Sequence, residues 1–169
     1  MTHPLVNQLY FARTEWLRAF DGVSDVDGAT RFEPMNSLGW MMGHLAWQEN
    51  ICWNVRARNL NPAPQLHDLV GYGKPVNTPG LSAMVATWHD VTTAATSYLE
   101  LLTDESLKTH WIRNGKPARE SVGTTLQRVI YHYFFHIGEA QAVRQLLNHP
   151  NRPEYIGDIG EQFAFRSQS

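Results

Sequence analysis

Apolar residues recur at helical spacing over four stretches of the chain. Leu5, Leu9, Ala12, Trp16 and Phe20 make the first stripe. It follows Thr2 to Pro4, and a proline suits a first helical turn. Asp21 to Glu33 holds two glycines and three aspartates and reads as a loop. The pattern resumes after Asn36 or Ser37, either of which can cap a helix, with Trp40, Met41, His44, Ile51 and Val55. NLNPAP should stop it near Asn59. Pro62, Pro64, Gly71, Gly73 and Pro75 then break all periodicity between Asn61 and Thr78. A stretch of roughly 20 residues without regular structure is long for a compact domain, but a bundle crossover accounts for it.

The third helix has the cleanest face: Leu81, Met84, Val85, Trp88, Val91, Ala95, Tyr98 and Leu102, with Thr78 as cap and Pro79 at its start. A second long connection, Thr103 to Glu120, contains RNGKP. The fourth helix runs from about Ser121 to Asn148, and the tail PNRPEYIGDIGEQFAFRSQS reads as irregular. No strand series or repeat stands out. The pattern predicts an all-α, four-helix-bundle domain over residues 1–169, with the long crossover between its second and third helices.

HYFFHIGEA, residues 132–140, places two histidines four apart in an apolar run. With His132 at zero, His136 falls near 40°, Glu139 near −20°, Val129 near 60° and Val143 near 20°, at about 100° per residue. Both histidines and the glutamate therefore share a core-facing stripe. On the second helix His44 lies between Trp40 near −40° and Gln48 near 40° on the same scale of about 100° per residue, again facing inward. A lone buried histidine is ordinarily satisfied by one or two hydrogen bonds. A pair at i, i+4 meets on one face, at the spacing of helical metal-binding histidine pairs. His44, His132 and His136 are therefore the candidate metal ligands. Three neutral imidazoles would leave a divalent ion its charge and an open position. Zinc or nickel suits the set best, and iron is compatible. Glu139, one turn beyond His136, could be a general base, a fourth ligand or an acceptor for an imidazole N–H. Glu49 lies about 140° from His44 and should point elsewhere, so Gln48 is better placed to support a ligand imidazole. His3, His67, His89, His110 and His149 lie at element ends, in loops or off the core stripe, and read as solvated.

Composition narrows the classes. Apolar residues make up 43% of 169, an ordinary globular value, and the formal charge is −2 with no run of one sign. That provides no electrostatic case for nucleic acid or an anionic membrane. The single cysteine, Cys52, cannot form an internal disulfide. The first twenty residues carry charges throughout, unlike a signal peptide or membrane span, so a soluble cytoplasmic protein is the expectation.

SLGWMMGHLAWQE, followed late in the chain by HYFFHIGEAQAVRQLL, resembles the DinB-like superfamily. The resemblance implies a four-helix bundle with one metal-binding histidine on the second helix and two on the fourth, here His44, His132 and His136. It covers helix count, crossover position and both motif neighbourhoods. The family often carries glutamine where this chain has Glu139. Members include thiol-dependent transferases and isomerases that use bacillithiol or mycothiol. The resemblance thus implies a metal-dependent enzyme, a thiol S-transferase or a hydrolase, with a low-molecular-weight thiol and an electrophilic small molecule as partners. A non-catalytic metal-binding or stress-response protein with a structural ion is the alternative. Iron-dependent sulfoxide synthases carry a related HxxxHxE pattern, but Gly138 stands here where that glutamate would be.

The fourth helix is apolar on a second side. Leu126, Ile130, Tyr133 and Ile137 fall about 100–160° from His132, and Phe134 near 200°. Such a helix must bury both faces. A homodimer is one way, and a tail folding back through Tyr155, Ile156, Phe163 and Phe165 is the other.

Overall fold

The computed structural model describes residues 2–155 and 159–164. The four expected helices are present: α1 (Pro4–Arg18), α3 (Leu38–Glu49), α5 (Leu81–Leu99) and α7 (Val122–Leu146). α3 packs on α5, α1 on α7, and α3 meets α7. They enclose a core in which Trp16, Trp53 and Tyr133 are the largest fully buried side chains. Among the described residues no helix is long and apolar enough to cross a membrane.

The caps explain the starts. Ser37 accepts from the Trp40 N–H and Ser121 from that of Thr124. His3, expected to be solvated, caps α1 instead: its Nδ1 accepts from the Leu5 N–H at 3.1 Å. Its Nε2 lies 3.2 Å from Asp104 Oδ1. The expected Thr78 cap for α5 is not used. Gly80 precedes the helix without a capping side chain, and Asp25 substitutes from elsewhere. Its carboxylate accepts from the Ser82 N–H at 2.7 Å and from the Ser82 hydroxyl at 2.9 Å. Those two bonds pull the Asp25 carboxyl below its usual range. Asp25 sits on α2 (Asp25–Ala29), a short helix in the stretch expected to be a loop, itself capped by Ser24.

The helical run that α3 begins stops near Asn59 as expected, with Asn59 in the left-handed region at φ 54°. Its last turns are not α-helical, however. Asn50–Arg56 forms a π-helical segment in which Asn54 donates to the Val91 carbonyl at 3.0 Å. A wider turn rotates the face. Cys52, Trp53 and Asn54 are buried there, while the expected Ile51 and Val55 are only partly so.

Both connections carry structure that the broken periodicity hid. The crossover forms α4 (Leu66–Val70), which buries Leu66 and Val70 against α3. Gly43 makes room for it: a Cβ there would meet Met84 Sδ at 2.7 Å and Val70 Cγ1 at 3.2 Å. The second connection holds α6 (Asp104–Lys108) and a two-stranded ribbon, β1 (Ile112–Arg113) with β2 (Lys116–Pro117). Asn114 and Gly115 turn it with φ of 51° and 73°, so RNGKP is a hairpin.

The second apolar face of α7 is covered within the chain. Leu126, Ile130, Tyr133 and Ile137 are buried, with α1, α3 and α6 packed on the helix. Phe163, just beyond α8 (Ile159–Gln162), stacks on Phe11 at 5.1 Å, and Phe11 lies 6.4 Å from Phe134. Tyr155 packs against the same core, under Arg18. Ile156 and Phe165 lie outside the described residues. The chain itself thus buries Leu126, Ile130, Tyr133 and Ile137 of the face that motivated a dimer.

Candidate metal centre

α3 contributes His44, and α7 contributes His132 and His136 one turn apart. Their ligand nitrogens all lie within 4.8 Å of one another, the one such cluster among the described residues. His44 and His136 are buried and His132 is half-buried. The Nε2 atoms of His132 and His136 are 2.9 Å apart. The His44 ring stands edge-on to both, its centre 5.3 Å from that of His132 and 5.4 Å from that of His136.

Each Nδ1 is engaged on the far side of its ring. His44 Nδ1 donates to the Val70 carbonyl at 2.8 Å. His132 Nδ1 meets Gln48 Oε1. His136 Nδ1 lies 2.5 Å from Glu139 Oε2, close enough for a charge-assisted contact though not aligned as a hydrogen bond. Oxygens of this kind only accept, so they place the ring protons on Nδ1 and leave Nε2 as a lone pair. Two lone pairs aimed at each other at 2.9 Å repel unless a proton or a cation lies between them. The donor set therefore fits a divalent ion. Zinc–nitrogen bonds of about 2.0–2.1 Å put tetrahedral nitrogens about 3.3 Å apart, within the spread seen here.

Burial holds the His44 and His132 imidazoles neutral. It pulls His44 down to about 4, with the facing His136 adding to burial and the Val70 bond opposing it. It pulls His132 down to about 3, with His136 and His44 adding. Neutral rings are the form a metal requires. Trp40 stacks on His44 at 4.5 Å, and Trp47 lies 5.5 Å from it. Trp111 instead sits against Trp53, away from the histidines.

The Glu139 carboxylate lies beside the Nδ1 edge of the His136 ring, on the side away from the other two imidazoles. Glu49 turns away from the site, as its phase implies, into a fully buried network. Arg13 donates to both its oxygens, at 2.8 and 2.7 Å. The Tyr133 hydroxyl donates to Oε1 at 2.6 Å and accepts from Trp88 Nε1 at 2.9 Å. Sequence reasoning passed over this network. Its signal was Arg13, a charge between Leu9 and Trp16 on the core stripe of α1. The other histidines stay out of the site. His67 and His89 are exposed, His110 bonds the Ala118 carbonyl, and His149 sits between Arg144 and Asp27.

A solved structure described as the crystal structure of the conserved protein of locus from Enterococcus faecalis is similar to this chain. The TM-score is 0.65 at 16% identity, covering 85% of this chain and 95% of that one. At that identity the likeness concerns the fold. No curated protein matches the chain. The family model described as the DinB superfamily matches residues 8–140, a span that includes all three histidines. The chain belongs to the DinB superfamily.

Proposed function

We propose that the three-histidine centre binds one divalent transition metal, zinc or nickel before iron, and that the protein is a metal-dependent enzyme. The observation that carries this reading is the placement of the acceptors. Val70, Gln48 and Glu139 occupy the three Nδ1 atoms, so three Nε2 lone pairs converge, and among the described residues no carboxylate joins the cluster. An open cavity of about 550 Å³ borders His132 and Gln48 at the outer edge of the cluster. A bound ion would supply Lewis acidity, lowering the pKa of a water or a thiol at that position.

The chain's own residues do the rest. Gln48 and the Val70 carbonyl fix ring orientation, and Glu139 makes His136 a stronger donor by drawing on its N–H. Family membership favours a low-molecular-weight thiol and an electrophile as substrates over hydrolysis. The burial of His44 and His136 supports the second reading, an ion that only stabilises the bundle. Screening monochlorobimane against bacillithiol, mycothiol and glutathione separates the two. A metal-dependent rate with one thiol supports the transferase. No rate above background with any of them overturns it.

A further inference from the structure

The cavity beside His132 continues along α7. Thr124, Gln127, Arg128, Tyr131, His132 and Phe135 line it, a single stripe at helical spacing. A second cavity of about 570 Å³ shares Glu120, Thr124 and Arg128 with it and adds His110 and Arg119. The two form one trough, running from the histidines to the start of α7. Its middle is aromatic. Tyr131 is 68% exposed and Phe135 62%, although Phe135 lies edge-on to His136 with ring centres 5.1 Å apart. Large apolar rings left in water beside a ligand cluster are suited to a substrate body.

The far end is cationic. Arg128 pairs with Glu120 through Nε, at 3.0 Å, and Nη2. That pair holds the guanidinium in place and leaves Nη1 without a partner among the described residues. Arg119 has no partner among the described residues. Two arginines against one glutamate leave one net positive charge, before any ion at the histidines is counted. Arg128 stands one turn before His132 on the same stripe, and both line the same cavity, so one small molecule can lie against both side chains.

We infer that this trough is the substrate subsite, and that Arg128 and Arg119 select a small molecule carrying a carboxylate or phosphate beyond a planar or apolar body. The inference deepens the proposed function and rests on its reading of the histidine centre. The guanidinium fork suits either anion, and a bidentate contact gives geometric selection as well as energy. Tyr131 and Phe135 flank the body, and the reactive end lies at His132.

Calorimetric titration of the zinc-loaded full chain tests it, with para-(mercaptomethyl)benzoate, the matching phosphonate, the methyl ester, and para-toluate, which has no sulfur. The acid or the phosphonate should bind at least about tenfold tighter than the ester, as expected when a charged hydrogen-bonded contact of about 1.5–3 kcal/mol is lost. The tighter anion identifies whether carboxylate or phosphate is the natural group. Arg119→Gln/Arg128→Gln should reduce the gap to below about twofold, with zinc content and ester binding unchanged, and Arg128→Lys should restore part of it. Toluate separates the two readings. If it binds with the same dependence on the arginines and sulfur adds nothing, the trough stands and the thiol reading of the histidines fails. Equal binding of acid and ester by the wild type, or an anion preference that survives the double variant, overturns the inference.

Discussion

His44 donates to the carbonyl of Val70, 2.8 Å away and 26 residues further along the chain. One end of the three-histidine cluster is thus held by backbone in the crossover rather than by the bundle. The contact depends on Gly43, beside His44, which lets α4 come close.

Gly43→Val should weaken the site without touching a ligand. The added atoms collide with Val70 and Met84 and push α4 off α3. Losing an outer partner of a ligating histidine typically reduces metal affinity about 10–100-fold. A chelator competition titration measures this, and unchanged affinity would show that the Val70 carbonyl is not needed. Overpacking should also destabilise the fold by about 1–3 kcal/mol.

Protein purified without a histidine tag should carry close to one transition metal per chain by elemental analysis. His136→Ala should lose most of it. Stripping the ion from wild type should lower the thermal midpoint, since a ligand held at about 1,000 times its Kd contributes about 4 kcal/mol. His136→Ala, with little metal to lose, should respond far less to the same chelator.

The helices were legible because burial imposes its period on them: three or four residues apart, apolar side chains share one face. The same logic placed His44, His132 and His136 inward, and Gln48 beside them. What stayed hidden has other physical origins. Val70 contributes a carbonyl, which any residue could provide, so its identity carries no signal. Asp25 caps a helix 57 positions away, and nothing local marks that partnership. In the π-helical segment the wider turn moved burial from Ile51 and Val55 to Cys52, Trp53 and Asn54. The second apolar face of α7 was read correctly as needing cover, but its cover came from within the chain.

Cys52 should be inert in the folded protein. Burial pushes its thiol up to about 12, against a partial pull down from Arg56. An ordinary thiol titrates near 8.5, so at pH 8–9 the unfolded chain exposes thiolate that the fold withholds. Iodoacetamide should label the native protein slowly and the urea-unfolded protein rapidly. The folded pKa is raised, so the contribution of this group to stability is complete below about pH 8.5 and declines as pH rises toward 12. Rapid native labelling at pH 8 would contradict the burial.

The buried network of Arg13, Glu49 and Tyr133 should control the metal site at one remove. Gln48 and Glu49 are consecutive on α3, and they meet His132 and Tyr133, consecutive on α7. One inter-helix register therefore serves both contacts. Glu49→Gln removes the charge that compensates Arg13, and breaking a buried pair in this way costs about 3–5 kcal/mol. Replacing both partners with apolar residues, Arg13→Met/Glu49→Leu, is often nearly neutral for stability. The two variants separate folding from registration. The double variant should melt above Glu49→Gln in the metal-free state, losing only about 1–3 kcal/mol for the orphaned Tyr133 hydroxyl. It should still bind zinc more weakly, because the Gln48–His132 contact is then left to set the offset of α3 on α7 without the Glu49–Tyr133 bond. Urea unfolding of the stripped protein, paired with zinc competition titration, tests this. A double variant with wild-type zinc affinity would show that hydrophobic packing alone sets the register.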